Sequence, residues 1–125
     1  MIKKFLLLFA ILLIMPLLAI GAEKSFSAMN KSELAFVYAY APDCSYCEKF
    51  KPNYEKLVQK YGKIFAFSKV DVTTKEGAVY AKDLGVYWVP NITLLNYNKQ
   101  IMNKVPPECM RDYACVVEVV EEFIK

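Results

Sequence analysis

The sequence predicts a single α/β domain, a mixed sheet with helices on its faces, and three observations carry that prediction. An aromatic-rich apolar run, Leu34 to Ala41, has no polar alternation, as expected of a strand covered on both faces. Beyond it, strand-like and helix-like segments follow one another in the order β-α-β-α-β-β-α. Proline, glycine and short polar residues punctuate the junctions. Alternation of this kind implies a mostly parallel sheet, with the last hairpin adding an antiparallel edge.

Residues 1–22 are expected to be a leader and not part of the fold. Lys3-Lys4 precedes an uninterrupted apolar stretch, Phe5 to Ile20, and the small residues Ala19, Gly21 and Ala22 offer cleavage after Gly21 or Ala22. Those sixteen residues, with Pro16 among them, fall short of the roughly 20 that a spanning helix needs. A membrane association is therefore expected only if the leader stays attached. Removing residues 1–22 from the 125 leaves 103 for one compact domain, residues 23–125. Lys3 and Lys4 leave with the leader, so 14 basic residues face 13 acidic ones, a charge of +1 with the signs interspersed. That pattern argues against nucleic acid as a partner and against a membrane surface. All four cysteines follow the leader, which favours disulfide chemistry in an exported protein, most simply in a periplasm.

Taken in order, residues 23–33 are a short polar arm, and Leu34–Ala41 is the first strand. Pro42-Asp43 breaks it, and a helix is expected from about Cys44 to Tyr61. Either Asp43 is its N-cap or Ser45 is, in a capping box with Glu48. Phe50, Tyr54, Leu57, Val58 and Tyr61 recur at helical spacing and should face the core. Pro52 should kink the helix, and Gly62 should end it. Ile64–Val72 is a second strand, Thr73 or Thr74 caps a helix of about Lys75–Leu84, and Gly85 stops it. Asn91–Tyr97 is a third strand, turned at Asn98-Lys99 into Gln100–Val105. After Pro106-Pro107, a last helix of about Asp112–Ile124 buries Val116, Val119, Val120 and Phe123.

The chemistry lies at the first strand-to-helix junction, where Cys44-Ser45-Tyr46-Cys47 spaces two cysteines as C-x-x-C. The thiolate is the nucleophile in disulfide exchange, and a helix N-terminus lowers the thiol pKa. An exposed first sulfur can attack, and a covered second one can resolve the mixed disulfide, which casts Cys44 and Cys47 in those roles. The competing readings are an inert disulfide or half of a zinc site, although C-x2-C with C-x5-C is an unusual zinc spacing. Histidine is absent, which excludes Cys-His and Ser-His pairs, histidine metal ligands and C-x-x-C-H haem attachment. No metal and no cofactor are expected.

Tyr40-Ala41-Pro42-Asp43-Cys44-Ser45-Tyr46-Cys47-Glu48-Lys49-Phe50-Lys51-Pro52 resembles the active-site segment of the thioredoxin superfamily. Gly85-Val86-Tyr87-Trp88-Val89-Pro90-Asn91-Ile92-Thr93-Leu94-Leu95 resembles its cis-proline segment, and Lys69-Val70-Asp71-Val72 its central strand with a lysine near the site. The resemblance implies a minimal thioredoxin-like fold, since residues 23–33 leave little room for the family's first strand and helix. It also implies a cis Val89-Pro90 bond against Cys44 and Cys47, with a backbone edge that pairs with an extended substrate. Trp88 stands beside that groove. The function implied is thiol-disulfide exchange on cysteine-containing exported proteins, served by a redox partner protein, in a monomer. A module that keeps the fold and grips a partner through the Val89-Pro90 groove without turnover is the alternative.

Two positions depart from the family. Tyr38 stands six residues before Cys44, where thioredoxins usually carry a buried acid, and a tyrosine of reference pKa about 10 is a weak base. Proton transfer at Cys47 would then fall to Lys69, Glu48 or water. Asp43 replaces the usual tryptophan, and its carboxylate opposes thiolate formation at Cys44. Cys109 and Cys115 form the second pair. On one continuous helix they would stand about 9 Å apart along the axis, beyond the Cα limit of about 7 Å for a disulfide. If Asp112 caps the helix, the chain can fold back and bridge them as a structural staple; a second redox pair is the sharper alternative.

Overall fold

The computed structural model describes residues 34–125; the expected leader and the polar arm lie outside the described residues. Strand β1 (Leu34–Tyr40) leads into helix α1 (Ser45–Tyr61), strand β2 (Phe65–Asp71) and helix α2 (Lys75–Asp83). Strands β3 (Asn91–Asn96) and β4 (Ile101–Lys104), a 3-10 turn (Pro107–Arg111) and helix α3 (Tyr113–Ile124) complete the order. The predicted thioredoxin-like β-α-β-α-β-β-α arrangement is the one observed, with the 3-10 turn added before the last helix. Among the described residues no helix is long and apolar enough to cross a membrane.

The sheet runs β2-β1-β3-β4, so the apolar run is indeed an interior strand. Its two faces differ. Phe36 and Tyr38 join Phe50, Leu57, Tyr61, Val116 and Val120 on the side of α1 and α3. Ala35, Val37 and Ala39 meet Ala81, Leu84 and Val86 on the side of α2. Burial on both faces removes any need for polar alternation. The large rings thus face the two long helices, and small side chains let the nine-residue α2 close down on the sheet.

The expectation of a mostly parallel sheet is corrected. Only β1 and β2 pair in parallel; β1–β3 and β3–β4 are antiparallel. The cause is the length of the second crossover. A seven-residue strand such as β2 covers about 23 Å, whereas nine helical residues cover about 13 Å. The chain then folds back on α2, where the Val86 amide donates to the Ala81 carbonyl at 2.8 Å. Gly85 makes that reversal with φ of 69°, a left-handed conformation that glycine adopts without penalty. β3 therefore starts at the end of the sheet where β2 finished and must run the other way.

Three local expectations also change. Neither Asp43 nor Ser45 caps α1; the N-cap is Cys44 itself, whose sulfur accepts from the Cys47 amide. Gly62 does end α1, but with φ of −63°, so it is needed for room: a Cβ there would stand 2.6 Å from the Val58 carbonyl oxygen. The hairpin turn holds four residues, 97–100, because Asn96 pairs with Ile101. A two-residue turn would need positive φ at both centres or at the first; here Gln100, the last of the four, is left-handed, at 54°. Helix α1 continues through Pro52. An interior proline costs about 3 kcal/mol, and the buried Phe50, Leu57 and Tyr61, at about 1.5–3 kcal/mol for a large apolar side chain, outweigh it.

Candidate active site

β1 ends at Tyr40, and the turn that follows delivers Cys44 to the N-terminus of α1 in an extended conformation, φ −91° and ψ 113°. Its side chain takes the place a serine or aspartate oxygen usually fills, and the Cys47 amide donates to Cys44 Sγ at 3.2 Å. Cys44 is half-buried, while Cys47, one turn into the helix, is 6% exposed. The two are joined as a disulfide with Cα atoms 5.2 Å apart. One sulfur is thus reachable and hydrogen-bonded at the positive end of a helix, and the other is covered.

The Val89-Pro90 bond is cis. It carries the Val89 carbonyl oxygen to 4.0 Å from Cys44 Sγ, within reach of the thiol when the pair is reduced. A groove of about 500 Å3 opens beside this contact. The loop contributes Trp88, Val89 and Pro90 to it. Helix α1 contributes Tyr46, Lys49 and Phe50, and the 3-10 turn contributes Met110 and Arg111. The sequence names Tyr46 only as part of the C-x-x-C motif and gives no groove role to it or to Lys49, Met110 or Arg111. They come from elements about 60 residues apart, and the one hint was that Met110 and Arg111 lie between Cys109 and Cys115.

Tyr38 is buried, with its ring 4.8 Å from Tyr54, 5.4 Å from Phe50 and 5.9 Å from Tyr40 by centroids. Burial pushes its hydroxyl up to about 12, and the neighbouring Tyr54, Glu48 and Tyr40 add to the shift. The hydroxyl therefore keeps its proton at neutral pH. Lys69 is exposed on β2, with its ammonium 4.7 Å from the Tyr40 ring centre and 5.5 Å from that of Tyr54. Those aromatic faces hold the ammonium that is one candidate for proton transfer at Cys47. Cys109 and Cys115 are bridged with Cα atoms 5.1 Å apart. The fold-back expected for them is present: Cys109 sits in the 3-10 turn, and Asp112 caps α3 by accepting from the Ala114 and Cys115 amides.

Comparison with known proteins gives three findings. The thioredoxin family model matches residues 18–113. Over 60 residues the chain is 40% identical to a probable protein disulfide-isomerase A4 of Caenorhabditis elegans, a match covering 46% of this chain and 9% of that protein. The chain thus spans about a tenth of the length of that curated relative. Among solved structures, the J-Trx1 fragment of ERdj5 superimposes with a TM-score of 0.64 at 19% identity, covering 78% of this chain and 45% of the fragment. Mitochondrial thioredoxin 3 of Saccharomyces cerevisiae, in its oxidised form, gives 0.60 at 23% identity, covering 73% and 79%. At such identities the two structures speak for the fold.

Proposed function

The chain belongs to the thioredoxin family, and from that premise we propose that it carries out thiol-disulfide exchange on exported proteins, with Cys44 attacking and Cys47 resolving. A thioredoxin-family domain with a C-x-x-C pair is an oxidoreductase in general terms; the substrates, the compartment and the roles of the two sulfurs are our reading. The observation that carries it is the capping of α1 by Cys44 Sγ, which accepts from the Cys47 amide at 3.2 Å. A thiolate there gains both a hydrogen bond and the favourable end of the helix dipole.

In the reducing direction the Cys44 thiolate attacks one sulfur of a substrate disulfide. A Cys44–substrate bond forms, the substrate S–S bond breaks, and the second substrate sulfur leaves as a thiolate. The Cys47 thiol gives its proton to that thiolate or to water, and its own thiolate attacks Cys44 Sγ. The Cys44–Cys47 disulfide forms, the other substrate thiolate is released, and two electrons have passed to the substrate. The oxidising direction is the same sequence reversed. A partner protein resets the pair in either case. Export is supported by the leader pattern of residues 1–22 and by the position of all four cysteines after it. The substrates are then cysteine-containing exported proteins, met in a periplasm by a monomer.

Insulin reduction driven by dithiothreitol tests the exchange. Wild type should accelerate precipitation, and Cys44→Ser should return it to the background of the reagent alone. Equal rates for the two would leave the groove as a binding module without turnover. The direction follows from the reduction potential of the pair, near −120 mV for an oxidant and near −270 mV for a reductant. Amino-terminal sequencing of protein from a periplasmic extract checks the compartment, with Ala22 or Glu23 as the expected first residue.

A further inference from the structure

Resting on the exchange reading, we propose that the groove beside Cys44 selects cysteine-bearing segments in which an acidic side chain neighbours an apolar one. The floor of the groove is apolar, with Phe50, Val89, Pro90 and Met110. Its charged lining is of one sign, Lys49 and Arg111, and no carboxylate residue lines it. Both cations lie on the exposed ring of Tyr46, Lys49 Nζ at 5.6 Å and Arg111 Cζ at 4.9 Å from the centroid. Tyr46 thus gathers two like charges at the mouth of the groove.

Neither charge is neutralised by an ion pair among the described residues. The salt bridge found there joins Lys125 to Glu122, outside the groove lining. Asp112, next to Arg111 in the chain, has its carboxylate engaged with the Ala114 and Cys115 amides. Arg111 is also held in place, because the Cys109–Cys115 bridge closes the loop that carries it. Two cations that share one ring and have no ion-pair partner leave the groove with a positive potential, which favours a bound carboxylate while an apolar neighbour meets the apolar lining. A volume of about 500 Å3 suits a few side chains of an extended segment. The Val89 carbonyl, 4.0 Å from Cys44 Sγ, ties this recognition to the reacting sulfur.

Trp88 is the only tryptophan in the chain and lines the groove, so its fluorescence reports occupancy. The probes are two short peptides with serine in place of cysteine, one carrying Phe beside Asp-Glu and the other Phe beside Lys-Lys. Without a thiol they report binding alone. The acidic peptide should bind about fivefold more tightly at low salt, as two solvent-exposed ion pairs allow, and the gap should narrow in 0.5 M salt. The K49Q/R111Q variant should lose the gap, and R111K should keep most of it. Equal binding of the two peptides, an unchanged gap in K49Q/R111Q, or no fluorescence response to either peptide overturns the proposal. Cysteine-bearing versions separate it from the exchange reading. An acidic preference without turnover sinks exchange and keeps the groove, and turnover without preference does the reverse.

Discussion

The two disulfides span nearly equal distances, with Cα atoms 5.2 Å apart in Cys44–Cys47 and 5.1 Å in Cys109–Cys115, and both lie at a helix N-terminus. They differ in which atom caps the helix. At α1 the cap is Cys44 sulfur, which takes the Cys47 amide. At α3 it is the Asp112 carboxylate, which takes the amides of Ala114 and Cys115. The first helix therefore offers its positive end to a thiolate, while the second has already neutralised that end with a carboxylate. A thiolate at Cys115 would form beside a negative charge, which opposes its formation. Cα spacing and helix position are alike in the two pairs, so the capping atom is the difference on which a contrast in reactivity would rest.

The largest test of this difference is thiol reactivity. In fully reduced protein at pH 7, iodoacetamide should alkylate Cys44 at least about tenfold faster than Cys115, since the thiolate is the reactive form and the cap sets its fraction. Mass spectrometry of the digested protein over time reads both rates. Equal rates would mean that the cap does not control the sulfurs. The same contrast predicts that mild reductant opens Cys44–Cys47 first.

Next in size is the loss of the second bridge. Closing a loop this short contributes about 2 kcal/mol by the entropy model, so Cys109→Ala/Cys115→Ala should melt about 10 °C lower. Its insulin activity should survive. A fall to the level of Cys44→Ser would instead make the second pair an electron relay. Smaller still are the caps themselves. With the protein reduced, Cys44→Ala should cost about 1 kcal/mol of stability and Cys44→Ser much less, because a hydroxyl caps as well as a sulfur. Asp112→Ala should cost a similar amount at α3 and Asp112→Ser little. Chemical denaturation in the presence of dithiothreitol measures all four.

Much of this architecture was legible in the sequence because its signals are local. The Leu34–Ala41 run, the C-x-x-C after it, and Thr74 as a cap each depend on residues within a few positions. The Cys109–Cys115 bridge was readable for the same reason, once Asp112 was taken as a helix start. What escaped depends on lengths and on atoms that propensities do not weigh. Cysteine is not among the usual caps, so Asp43 and Ser45 hid the role of Cys44. Strand direction in β3 followed from how far α2 reaches, not from any residue in β3. The groove was half visible, through Trp88, Val89 and Pro90, because its other wall is assembled by tertiary packing of α1 and the 3-10 turn.

The smallest expected effect concerns the ground beneath the first pair. Tyr38 holds the place where the family usually has an acid, yet burial raises its hydroxyl to about 12 against an ordinary 10. Tyr38→Phe should therefore change exchange at pH 7 by less than about twofold, since a group that keeps its proton there moves none. Stability should respond only in alkali. Below about pH 10 both folded and unfolded Tyr38 are protonated, so its contribution is complete. Between about pH 10 and 12 the unfolded chain ionises first, and stability falls as pH rises through the folded value. Tyr38→Phe should flatten that decline by up to one proton's worth of slope, measurable by urea denaturation at pH 9 to 12. A tenfold loss of exchange at pH 7, with a shifted pH–rate profile, would instead make the Tyr38 hydroxyl a proton carrier for Cys47, and the two disulfides would then differ by a relay as well as by a cap.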